Sequence, residues 1–108
     1  MFNFYNTHQN EQLNKEVQEQ NVGDAGNNFA TLQKVRKDLV GELDAIIQYE
    51  DHIQTSNNTL AVKTWEDIRN EELVHVGELC ALMEYLSPND KKYIDIGIRE
   101  FNERLNNV

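Results

Sequence analysis

The chain has 108 residues, a formal charge of −9 and 39% apolar side chains, which allows one small domain with a modest core. The acidic balance argues against nucleic acid and anionic membranes, which reward clustered Lys and Arg, and leaves metal cations as compatible ligands. Cys80 is the single cysteine, which rules out an internal disulfide and a Cys-based zinc site, and "MFNFYNTHQNEQ" lacks the basic and apolar blocks of a secretory leader, so a cytoplasmic location is expected.

Residues 1–28 read as a flexible polar arm. Asn and Gln supply eleven of them, and "GDAGNN" closes the segment with turn formers. Leu13 and Val17 could mark one short helix after Thr7. From Phe29 the texture changes, and residues 29–108 form the helical domain. Leu32, Val35, Leu39, Glu42, Ile46, Tyr49 and Ile53 follow at steps of three and four, the seam of an amphipathic helix. "SNNT", Ser56 to Thr59, is a polar turn of the length that joins antiparallel helices. A second seam follows in Ala61, Trp65, Ile68, Glu72, His75, Leu79, Leu82 and Leu86. "SPND" then ends one helix and starts another. Ser87 suits the N-cap, Pro88 the first helical position and Asp90 the first turn. A shorter third helix carries Ile94, Ile98, Phe101 and Leu105 on one side. The predicted fold class is all-α: an antiparallel two-helix hairpin plus a short C-terminal helix.

The seams are apolar except in one region, where Glu42 faces Glu72 and His75. The connecting turn is centred near residue 57 or 58, and each Glu lies about 15 residues from it. An antiparallel hairpin therefore sets them at similar height. Glu72 and His75, at i and i+3, share one helix face. Burying such groups without a partner is costly, and a cation supplies the missing charge. Carboxylates with an imidazole and no thiolate suit iron or manganese, and zinc less exclusively. One Glu from one helix and Glu-x-x-His from another is half of a four-helix di-iron carboxylate site. Two long helices are also half of that bundle. A two-fold homodimer would supply both missing halves.

The remaining candidates carry less chemistry. His8 and His52 have no ligand pattern and are expected in solvent. Glu71 lies about 100° from the seam and is expected on the surface. Cys80 reads as an inert, half-buried thiol, and Trp65 as packing.

"GELDAIIQY", with Glu42 and Tyr49 seven apart, is similar to the first metal helix of the ferritin-like superfamily, and "NEELVHVGEL" resembles its second. With "MEYLSPNDKKY" and a short third helix following, the chain from about residue 30 to 105 resembles the encapsulated ferritin family. That resemblance implies a ferritin-like four-helix bundle built from two subunits. Glu42, Glu72 and His75 would be iron ligands of a di-iron centre shared across the interface, with manganese or zinc as substitutes. Tyr49 would lie beside the site, as a hydrogen-bond or electron donor or as packing. The family's metal entry site has acids one residue before and two after the first Glu; here Gly41 replaces one and Asp44 would keep the other. Gln48 stands where a Trp is expected. The resemblance further implies a ring of dimers, commonly a decamer, inside an encapsulin shell in the cytoplasm. Cargo of this family usually carries a C-terminal encapsulation tail; with "LNNV" closing this chain, the tail is absent, has been removed, or residues 1–28 have a related role.

The implied activity is that of a ferroxidase, oxidising Fe(II) with oxygen for storage of the mineral in the shell. Two rivals stand beside it. A rubrerythrin-like peroxide-reducing di-iron protein lacks its usual Cys-x-x-Cys electron-transfer module here. A non-enzymatic helical assembly module would carry a structural metal or none.

Overall fold

The computed structural model describes residues 25–108. The described chain is helical throughout, with no strand: α1 Ala25–Thr55, α2 Thr59–Leu86 and α3 Pro88–Asn106. Residues 1–24, including His8 and the short helix read at Leu13 and Val17, lie outside the described part.

Helix α1 begins four residues before the predicted start at Phe29. Gly26, Asn27 and Asn28, read as turn formers, are helical. Propensity is a weak prior, and a long apolar stripe downstream outweighs poor helix formers at an end. Leu32, Val35 and Ile46 are the buried apolar residues, and all three sit on the predicted seam. Leu39, Tyr49 and Ile53 are half-buried beside them.

The connection is Ser56–Asn58, and its polar side chains organise the start of α2. Asn58 is the N-cap: its Oδ1 accepts from the Ala61 N–H at 3.0 Å, and its own N–H donates to Ser56 Oγ at 3.1 Å. Helices α1 and α2 pack against each other. Glu50 pairs with Arg69 at 3.5 Å, and further from the connection Glu42 meets His75 at 3.5 Å. His52, expected in solvent, is half-buried and meets Trp65 edge-on, ring centroids 5.0 Å apart. It sits in the last turn of α1, where the short connection brings it against α2.

The α2 seam is shallower than its sequence pattern predicts. Ala61, Trp65, Ile68, Glu72, Leu79 and Leu86 are half-buried, whereas His75 and Leu82 are exposed. An apolar stripe spans 100° or more of a helix, and one neighbouring helix covers only part of it.

A tight corner turns α2 into α3. Ser87 caps α3 as expected, its Oγ accepting from the Asp90 N–H at 3.1 Å, and Pro88 opens the helix. The Asp90 carboxylate accepts two hydrogen bonds from Arg36 Nη2, at 2.7 and 2.9 Å. One ion pair thus ties the start of α3 back to α1. Ile94 and Ile98 are half-buried, but Phe101 and Leu105 on the same stripe are exposed. Only the first half of α3 has its apolar side covered.

Candidate metal centre

Glu42 stands in the middle of α1, and Glu72 and His75 stand in the middle of α2. The Nδ1 of His75 lies 3.5 Å from Glu42 Oε1 and 3.7 Å from Glu72 Oε2. One ligand atom from each of the three lies within 4.8 Å of the other two. The group is therefore close enough to converge on one ion.

Lys37 lines the cleft that these carboxylates share. Arg69, the basic residue of α2 in this region, is engaged by Glu50. Oε2 of Glu42 is buried and has no hydrogen-bond partner. A buried carboxylate oxygen without a donor is costly, by about 1 to 3 kcal/mol or more for a charged group. A cation bound here would remove that cost. The donor set, two carboxylate groups and one imidazole, fits a divalent iron, manganese or zinc ion.

The site is open on one side. A cleft of about 410 Å³ is lined by Glu42 and Glu72, with Gly41 and Ala45 beside them. No atom lies within 4 Å of where a Cβ would sit at Gly41. A second cleft, about 290 Å³, brings Glu42 and His75 together with Glu78 and Leu82. The His75 side chain remains 49% exposed, so it is a rim residue of the single chain and is not sealed inside a bundle. His75 is about 60° round α2 from Glu72, which sets it nearer the rim.

Two further expected residues stand apart from the triad's own positions on α1. Asp44 is exposed and lies about 200° round α1 from Glu42, so the helix turns it away. Tyr49, expected beside the site, is half-buried two turns further along α1. Glu71 is exposed, as its wheel position implies. Cys80 is half-buried, and burial, with the charge of Glu84 added, pushes its thiol up from the usual range. Such a thiol is a poor nucleophile.

Glu78 and Glu84 were not singled out by the seam pattern. Glu78 is an exposed off-seam acid, and only the cleft reveals its place beside His75. Glu84 is the one buried polar residue among the described residues. A Glu one turn after a cysteine gives no sequence signal for that burial.

Comparison with protein-family models, with curated proteins and with solved structures returned no match.

Proposed function

We propose that Glu42, Glu72 and His75 hold iron and that the protein is a ferroxidase, oxidising Fe(II) to Fe(III) with oxygen for storage. The observation that carries this reading is the triad itself. Two carboxylates and an imidazole from two helices lie within 4.8 Å of one another, and one buried carboxylate oxygen lacks any donor. Iron bound there supplies the electrons that reduce oxygen. Glu42 and Glu72 contribute negative charge, which favours the more highly charged oxidised ion. His75 contributes an imidazole whose Nδ1 lies 3.5 Å from Glu42 and 3.7 Å from Glu72.

One chain provides one such set, while a di-iron centre needs two. In this reading α1 and α2 form an antiparallel hairpin. A second copy packs against its open face and completes a four-helix bundle with two facing triads. The exposure of His75 and Leu82 on that face, and the three buried apolar residues among the described ones, favour such a partner. The ring of dimers and the encapsulin shell, in the cytoplasm, belong to the same proposal and rest on the resemblance alone. No helix among the described residues is long and apolar enough to cross a membrane.

The test is aerobic addition of Fe(II) to the wild type and to Glu72→Ala, following oxygen use and ferric absorbance in the near UV. Fast oxidation in the wild type alone is expected. Equal background rates in both proteins would refute a ferroxidase. Consumption of hydrogen peroxide much faster than oxygen would favour the peroxide-reducing rival.

A further inference from the structure

The second buried acid, Glu84, is twelve residues past Glu72 and takes no part in the triad. It stands near the end of α2, opposite the first turns of α3. Its side chain is 4% exposed. Oε1 lies 3.9 Å from Lys91 Nζ, beyond hydrogen-bonding reach, and Oε2 has no hydrogen-bond partner. Lys91 instead donates to Asp95 Oδ2 at 2.7 Å. Buried carboxylates normally carry hydrogen bonds or a close cation. Glu84 has its cation at a distance, shared with a better-placed competitor.

We propose that Glu84 makes the joint between α2 and α3 proton-operated: α3 seats on α2 while Glu84 is neutral, and ionisation of Glu84 loosens it. The charged and titratable groups at the joint are few. Lys91 and Asp95 come from α3, and Cys80 lies one turn back on α2. Helix α1 reaches the corner through Arg36, whose guanidinium is engaged by Asp90. Burial pushes the Glu84 carboxyl up from its ordinary range; Lys91 opposes the shift and Asp95 adds to it. A carboxyl raised in the folded state favours that state at low pH. The contribution is complete below the ordinary carboxylate range and is lost as pH rises through the folded value. The proton goes to solvent and leaves a buried carboxylate whose nearby cation, Lys91, stays held by Asp95. Loosening uncovers Ile94 and Ile98, which then join the exposed Phe101 and Leu105 in one continuous apolar stripe.

Amide hydrogen exchange on the full chain, corrected for the intrinsic effect of pH, tests the joint. Protection in residues 88–106 is expected to fall as pH rises, by at most about tenfold per pH unit for one proton, relative to the middle of α1. Glu84→Gln should keep its low-pH protection across the range. Asp95→Asn should move the fall to lower pH, because it removes one anion and frees Lys91 for Glu84. The same pH profile in Glu84→Gln as in the wild type would overturn the proposal. An unmoved midpoint in Asp95→Asn would also overturn it, and that arm decides alone should Glu84→Gln fail to fold.

Discussion

Glu42 and Glu72 differ from most of the chain's acids in where they stand. Most Asp and Glu residues are exposed and solvated, while these two are about four-fifths buried and share a single imidazole. Removing either ligand should lower divalent-metal affinity by at least about 100-fold, the upper end of what losing even a supporting residue costs. Isothermal titration of Glu72→Ala and Glu42→Ala with Co(II) or anaerobic Fe(II) measures it, and unchanged affinity would remove these residues from the site. Asp90 makes a different contribution. The hydrogen bonds from Arg36 hold its carboxyl below the usual range, with Ser87 assisting. A group depressed in the folded state stabilises above its ordinary value, near pH 4, and that stability disappears as pH falls through the folded value. Asp90→Asn should therefore cost about 1 kcal/mol at neutral pH and flatten the acid limb of the stability curve. Denaturant titrations at pH 3 to 7 would show it.

At the scale of elements, capping and chain stiffness set most of the local stability. Asn58 and Ser87 each satisfy an otherwise unpaired N–H at a helix start. Replacing either by Ala should cost about 1 kcal/mol in chemical denaturation. Gly97 works in the opposite sense. It is exposed within α3, with nothing within 4 Å of an added Cβ. Gly97→Ala should stabilise the chain by about 0.5 to 1 kcal/mol, seen as a raised Tm. The three helices, the cap at Ser87 and the facing of Glu42 with Glu72 and His75 were legible, because seam steps and turn residues encode them directly. Other features depend on partners that a single seam does not describe. Helix α2 meets α3 on a face about 120° from the one that carries Glu72, and Glu84 is buried there. His52 is drawn onto Trp65 by the short connection, not by any ligand spacing. The early start of α1 and the exposure of Phe101 and Leu105 likewise reflect tertiary context, which propensity and periodicity leave out.

Across the described part of the molecule, several large apolar side chains are exposed. Leu82 borders the cleft over the triad, while Phe101 and Leu105 extend past the covered half of α3. Among the described residues three apolar side chains are buried, Leu32, Val35 and Ile46, and none of them fully. Association that covers the triad face would bury more of this surface and bring a second set of ligands to the first. The most direct measurement is the native mass of the full chain with and without Fe(II) under anaerobic conditions, with bound iron counted. The account predicts at least two chains in the metal-bound species and one iron per chain, with both properties lost in Glu72→Ala. A chain that stays monomeric with and without Fe(II), or iron uptake unchanged in Glu72→Ala, would contradict it.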